Sequence, residues 1–369
     1  MIFRPDIEHL IRPKLKAMNA YSPIEPTDVL SKRTDVPEDE LVKLDGNENP
    51  YGCSPRVASA LANYVYYHIY PDPGQQELRK ALGAYTGLGV EHIVAGSGSD
   101  ELIDLVLRLC IQPGDEVINC PPTFGMYPFS TEICDGKVIN IARKEAFAID
   151  VAAIKKALKE QTRVIFIASP NNPTGNITPE SQVMELLDSG AIVVIDEAYS
   201  EFSGVTLAPL VPDCSNLIVL RTFSKWAGLA GLRIGYGVFP ANIASYLMKI
   251  KQPYNVNAAA QVAALESLKD IDYLRGTVEL LIEERARLID RLGEFDWLKT
   301  YPSQANFVLC SVLKGEARQV YRKLQREGIF IRYFDTSVLR DCLRISVGKP
   351  EHTDRLITAL RKIGDSEVK

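Results

Sequence analysis

Three short runs constrain this 369-residue chain more than any other feature: Arg163-Val164-Ile165-Phe166-Ile167-Ala168, Ile192-Val193-Val194-Ile195 and Leu217-Ile218-Val219-Leu220. Each is a nearly unbroken aliphatic stretch without polar alternation, which predicts a strand buried on both faces. Helical segments lie between them. Buried strands alternating with helices form a mostly parallel sheet between two helix layers, an α/β domain. Further short strands are expected at Glu116 to Asn119 and Lys137 to Ile141. Ligands of open α/β sheets bind beyond the carboxyl ends of the strands. All three runs end in polar clusters: Ser169-Pro170-Asn171-Asn172-Pro173-Thr174-Gly175, Asp196-Glu197-Ala198-Tyr199 and the loop holding Ser224-Lys225. Asn172, Asp196, Tyr199 and Lys225 are therefore expected to converge on one ligand across 53 positions of sequence.

The chemistry of these residues narrows the ligand. A lysine is a nucleophile only when unprotonated, so a catalytic lysine needs burial or a neighbouring cation to lower its pKa. Phe223, Trp226 and Arg233 can supply both for Lys225, giving a lysine able to form a Schiff base, with Ser224 and Arg233 set to hold a phosphate beside it. An exposed lysine followed by a glycine-rich strand is the competing reading of that stretch. Asp196, at the end of an apolar strand, is costly to bury without a donor or a cation. His92-Ile93-Val94-Ala95-Gly96-Ser97-Gly98-Ser99-Asp100-Glu101 reads as a strand breaking into a turn that opens the helix Leu102 to Cys110. Such a junction aims unpaired N–H groups and the positive end of the helix at one point, which suits an anion. Simple capping by Ser99 or Gly98 would explain the same residues.

The flanks differ in character. Residues 1–40 are rich in proline and charge, with a helical pattern near Ile7 to Met18, and are expected to form an arm packing on the small domain and a partner subunit. The polar turn cluster Asp45-Gly46-Asn47-Glu48-Asn49-Pro50 precedes a helical stretch at Pro55 to Tyr66, and Tyr70-Pro71-Asp72 turns into another helix. Beyond Tyr254 come long helices at Ala258 to Leu268 and Gly276 to Leu292. Short strands at Asn306 to Ser311, Ile329 to Arg332 and Cys342 to Val347 then alternate with helices. This predicts a large domain over 41–275 and a smaller α+β domain over 276–369. The net charge of −5 argues against a nucleic-acid surface. Seven cysteines without a Cys-x-x-Cys pair read as free thiols in a reducing compartment. Four scattered histidines argue against a histidine-rich metal site. The start lacks the apolar core of a signal peptide, and no run approaches a membrane span, so a cytoplasmic location is expected.

In this order and at these intervals, Asn172-Pro173-Thr174-Gly175, Asp196-Glu197-Ala198-Tyr199 and Ser224-Lys225 with Arg233 resemble the fold-type I aminotransferases that depend on pyridoxal 5'-phosphate. The resemblance covers nearly the whole length. Asp45 to Pro50, Pro121-Pro122-Thr123 and Cys342-Leu343-Arg344 tilt it toward the branch acting on histidinol phosphate. The resemblance implies that Lys225 holds the cofactor and then serves as general base and acid at the substrate's alpha carbon. Asp196 would keep the pyridine nitrogen protonated. Asn172 and Tyr199 would bond the phenolic oxygen, and Phe124 would stack on the ring where many relatives place a tyrosine. Backbone at Ser99 and Asp100, room left by Gly98, and the Ser224 and Arg233 side chains would bind the cofactor phosphate. Tyr70 would reach that phosphate from a partner subunit, which implies a homodimer with sites at the subunit interface. Arg344 would grip the substrate carboxylate. Arg332, Asn47 and Tyr21 from the partner's arm complete the implied substrate set.

The implied reaction is transamination between L-histidinol phosphate and 2-oxoglutarate, giving imidazole acetol phosphate and L-glutamate, in histidine biosynthesis. Alternatives on the same scaffold are transamination of aromatic amino acids and decarboxylation of threonine phosphate. A non-catalytic regulator would carry an added DNA-binding segment, and the arm is short and not basic. A nucleotide site at Gly96-Ser97-Gly98 lacks the acidic ribose contact of the dinucleotide fingerprint.

Overall fold

The structure is a computed structural model describing residues 7–21 and 23–367. Residues 1–6 of the expected arm, and Ser22, lie outside the described residues. Strands are numbered β1 Val42–Leu44, β2 Ile93–Gly96, β3 Glu116–Asn119, β4 Lys137–Asn140, β5 Thr162–Ala168, β6 Ile192–Asp196, β7 Leu217–Thr222, β8 Gly235–Val238, β9 Leu298–Thr300, β10 Phe307–Val312, β11 Ile329–Tyr333 and β12 Cys342–Ser346. Among the described residues they form two sheets.

The larger sheet runs β2-β8-β7-β6-β5-β3-β4. Neighbours from β7 through β4 are parallel, as continuous Val/Ile runs demand. Successive side chains of the runs fall alternately into two cores. Ile165, Ile167, Val193, Ile195 and Val219 join one, and Val164, Phe166, Val194, Ile218 and Leu220 join the other. Period-two alternation with no polar face means that both sides of the sheet are covered. Helices Ser99–Cys110, Met126–Ile133 and Ala241–Ile250 contribute to one cover; Gln76–Thr86, Glu180–Leu187 and Ala258–Lys269 contribute to the other. β8 departs from the parallel pattern, pairing antiparallel with both β7 and β2. The chain must therefore reverse just past Thr222, and this reversal carries Lys225 and Arg233 over the carboxyl end of the sheet.

The second sheet runs β1-β11-β12-β10-β9. β1 pairs parallel with β11, so residues 42–44 join this sheet although they precede the large one in sequence. Helix Ile271–Leu292 continues without a break through position 275, where the sequence suggests a boundary. It packs Leu274, Leu281 and Leu288 into the core shared by both sheets. Helix Ser99–Cys110 begins earlier than the apolar pattern, because its first turn is polar.

The arm lies on its own chain. Arg12 pairs with Asp135 at 2.7 Å, Lys14 donates to the Gly136 carbonyl, and Tyr21 meets Phe129 edge-on at 6.3 Å. Helix Thr27–Thr34 buries Leu30, and Arg33 sits 6.0 Å from the Phe330 ring on the second sheet.

Candidate active site

A cavity of about 540 Å³ opens at the carboxyl ends of β5, β6 and β7, closed on the far side by β11, β12 and the arm. Asn172, Asp196, Tyr199, Ser224, Lys225 and Arg233 all line it, with Ser99, Asp100 and Phe124. So do Asn47, Arg332 and Arg344. Parallel strands place their following loops on one edge, which is why residues far apart in sequence meet there.

Lys225 donates to the Gly46 carbonyl at 3.0 Å. Burial, assisted by the Arg344 and Arg233 guanidiniums, pulls its amine down to about 8 against the opposing pull of Glu48 and Asp100. At pH 7 about a tenth is therefore the free amine, far more than for an ordinary lysine. Asp196 is 5% exposed and forms no ion pair among the described residues. Its Oδ2 accepts from the Tyr127 hydroxyl at 2.7 Å and its Oδ1 from the Ala198 N–H at 3.1 Å. Burial pushes its carboxyl up to about 6, with Asp100 and Glu197 adding to the rise and the Tyr127 and Ala198 bonds resisting it. Such a carboxylate is ready for a cationic partner on the cavity side.

Asn47 has φ 52° and is 1% exposed. Its Nδ2 donates to the Tyr199 hydroxyl at 3.0 Å, and its backbone N–H donates to Ser346 Oγ at 2.9 Å. Asparagine tolerates this left-handed conformation better than most residues. Burial raises the Tyr199 hydroxyl to about 12, although Arg344 and Asn47 favour its anion. The carbonyl of Asn172 accepts from Arg344 Nη1 at 2.6 Å, which orients the amide. Arg344 also donates to the Asp45 carbonyl, and burial lowers its guanidinium to about 10.

Opposite these groups, Gly98 is the N-cap of helix Ser99–Cys110 at φ 79°, one of the two capping residues expected, and no side chain closes the helix end. A Cβ there would stand 2.5 Å from Arg233 Nη2, and one on Gly235 would stand 2.5 Å from the Ser99 nitrogen. Two glycines thus let Arg233, the Ser99 amide and the helix terminus close around a single point, a cradle suited to a phosphate. Ser224 Oγ accepts from Thr222 Oγ1 at 2.9 Å. Arg233 is half exposed and pairs with Asp100 at 2.9 Å.

Two residues implied to act from a partner subunit take different places. Tyr70 is 77% exposed and stacks on Tyr254 at 4.4 Å, outside the cavity of its own chain. Tyr21, implied to come from a partner's arm, lines the cavity of its own chain because Arg12 and Lys14 tie the arm to residues 133–136.

Tyr127 is the residue that the sequence reading misses. It is fully buried, stacks on Phe166 at 4.8 Å and meets Phe124 edge-on at 5.6 Å. Its spacing of three from Phe124 was the available signal, since a buried tyrosine needs a partner for its hydroxyl. Tyr127→Phe removes a hydrogen bond to a charged group, an interaction of about 1.5–3 kcal/mol. The acidic limb of the pH–rate profile is expected to move up by about one pH unit or more. An unchanged limb in steady-state assays from pH 5 to 9 would contradict this role for Tyr127.

Residues 39–360 match the family model described as aminotransferase class I and II. The chain is 49% identical to the histidinol-phosphate aminotransferase of Dehalococcoides mccartyi strain BAV1, covering 98% of this chain and 99% of that one. It is 45% identical to the chloroplastic histidinol-phosphate aminotransferase 1 of Arabidopsis thaliana, covering 96% and 86%. Among solved structures, the histidinol-phosphate aminotransferase of Sinorhizobium meliloti in complex with pyridoxal-5'-phosphate superposes with a TM-score of 0.88 at 26% identity, covering 96% and 98%.

Proposed function

The chain belongs to the class I and II aminotransferases, and on that premise we propose that it moves an amino group between L-histidinol phosphate and 2-oxoglutarate. This places it in histidine biosynthesis. The observation that carries the substrate is the pair Arg332 and Arg344, Cα partners across β11 and β12, on the cavity wall. Two cations in register suit a phosphate dianion, and the planar fork of arginine also grips a carboxylate.

The cofactor is pyridoxal 5'-phosphate, which when bound supplies the carbonyl carbon for the amine and a ring that accepts electrons from the alpha carbon. The residues fit it. Asp196 meets no cation among the described residues and can hold a proton at the pyridine nitrogen. The oriented amide of Asn172 and the Tyr199 hydroxyl can bond the phenolic oxygen, and Phe124 can cover a ring face. The cradle of Gly98, Ser99, Asp100, Ser224 and Arg233 can take the phosphate. Lys225, with its lowered pKa, can take the proton from the substrate's alpha carbon and return it. The small sheet and the arm narrow the opening, which limits water at that carbon.

The homodimer is part of this proposal. Val65, Tyr66, Tyr67, Ile69 and Tyr70 are all more than half exposed, an apolar strip that an isolated chain would leave wet. Tyr70 of the partner subunit would extend from that strip to the cofactor phosphate. A single species near 41.0 kDa in sedimentation equilibrium at micromolar concentration would exclude the dimer. Seven unpaired cysteines support a reducing, cytoplasmic setting. No helix among the described residues is long and apolar enough to cross a membrane.

Turnover with 2-oxoglutarate as acceptor tests the substrate. The kcat/KM for histidinol phosphate is expected to exceed that for phenylalanine by about a hundredfold or more, since a site built for a polar group rejects analogues lacking it. Comparable values, or release of carbon dioxide from threonine phosphate at a comparable rate, would sink the assignment.

A further inference from the structure

Arg332 and Arg344 face each other across β11 and β12, an arrangement of like charges that destabilises a sheet unless something offsets it. Arg344 is secured on its own side. It bonds Asn172 and the Asp45 carbonyl, and its guanidinium carbon lies 5.4 Å from the Phe307 ring centroid. Arg332 is half-buried at the cavity wall. The ring of Phe334 meets both cations: its centroid is 5.8 Å from the guanidinium carbon of Arg332 and 5.8 Å from that of Arg344. The negative face of an aromatic ring attracts such cations. Phe334 is itself seated from behind by the small cluster of Leu309, Leu339 and Cys342, so the ring has a fixed place to offer. It also lines the cavity, where it keeps water from the guanidiniums and so strengthens their field.

Resting on the proposed transamination, we propose that Phe334 is a specificity-determining residue: its ring holds the Arg332 guanidinium beside Arg344, so that the two together form a site for a phosphate dianion. The acceptor's alpha-carboxylate needs only Arg344, which keeps Asn172, the Asp45 carbonyl and the Phe307 ring as partners when the Phe334 ring is removed. Phe334 thus sets the preference for a phosphorylated donor over an unphosphorylated one, leaving the oxo-acid acceptor nearly unaffected.

Phe334→Leu keeps the apolar volume and removes the ring face, whereas Phe334→Tyr keeps both. In the leucine variant the KM for histidinol phosphate is expected to rise about tenfold, with the KM for 2-oxoglutarate moving less than about twofold. The tyrosine variant is expected to restore the wild-type split. The unchanged acceptor KM also reports that the leucine variant has folded. A second probe is independent of the true donor: inhibition of the glutamate half-reaction by inorganic phosphate, whose Ki is expected to rise about tenfold in the leucine variant only. Equal changes in both KM values, or an unchanged phosphate Ki, would overturn the role of Phe334. A wild-type enzyme inert toward histidinol phosphate but still losing phosphate affinity on Phe334→Leu would remove the proposed donor and leave this role standing.

Discussion

Lys225→Ala is expected to lower kcat by about ten-thousandfold or more, because a positioned acid–base group alone contributes ~10²–10⁴ and the role proposed for this residue also includes the nucleophilic amine. With its amine at about 8, Lys225 is half deprotonated at pH 8, whereas an ordinary lysine is well under ~1% deprotonated there. Borohydride reduction followed by mass spectrometry gives the direct check. The wild type should retain the cofactor covalently at this residue and the alanine variant should not. A variant that keeps a covalent adduct would remove Lys225 from its role. The same lowered pKa carries a stability consequence. Between about 8 and the ordinary 10.5 the unfolded chain binds a proton that the folded chain does not, so the penalty of the buried amine is full below 8 and fades as pH rises toward 10.5. Lys225→Met is therefore expected to raise the melting temperature of cofactor-free protein at pH 7, with a gain that shrinks by pH 10.

Asp196→Asn is expected to reduce kcat by about a thousandfold, comparable to removing a preorganised electrostatic partner of the transition state. The amide oxygen can still accept from the Ala198 N–H and the amide NH2 can donate to the Tyr127 hydroxyl, but the neutral side chain holds no proton at a ring nitrogen. In cofactor-free protein the effect should reverse sign. The folded carboxyl titrates at about 6 against an ordinary 3.8. The folded chain therefore binds the extra proton between those values, and stability falls as pH rises through them. Asparagine escapes that loss, so the variant should be more stable than the wild type by about 2–3 kcal/mol at pH 7.5, and equal to it near pH 4. Urea denaturation at the two pH values measures both. A variant less stable than the wild type at pH 7.5 would show that Asp196 is satisfied by the protein alone and awaits no cation.

Much of this was legible before the fold because the controlling interactions are local in sequence. Unbroken runs such as Val164 to Ala168 fit only a strand covered on both faces, and the residues that follow a parallel strand reach the ligand edge by topology alone. Asn172, Asp196, Tyr199 and Lys225 meet in one cavity for that reason. What was not legible depends on contacts between distant segments. Val42 to Leu44 looks like any short strand, and only pairing with Ile329 to Ile331 assigns it to the second sheet. Tyr127 is one aromatic among 28 Tyr and Phe residues until its hydroxyl is seen 2.7 Å from Asp196.

The sequence by itself determined the α/β architecture and the ligand edge of the sheet, and it singled out Lys225 as the candidate amine, since hydrophobic period and the order of the motifs suffice for these. Tertiary structure alone decided how reactive those groups are. The lowered amine of Lys225, the raised carboxyl of Asp196 and the shared ring of Phe334 between two arginines all arise from burial and from neighbours brought together across the fold. Desolvation and Coulomb energies depend on distance in space, and separation along the chain does not encode that distance.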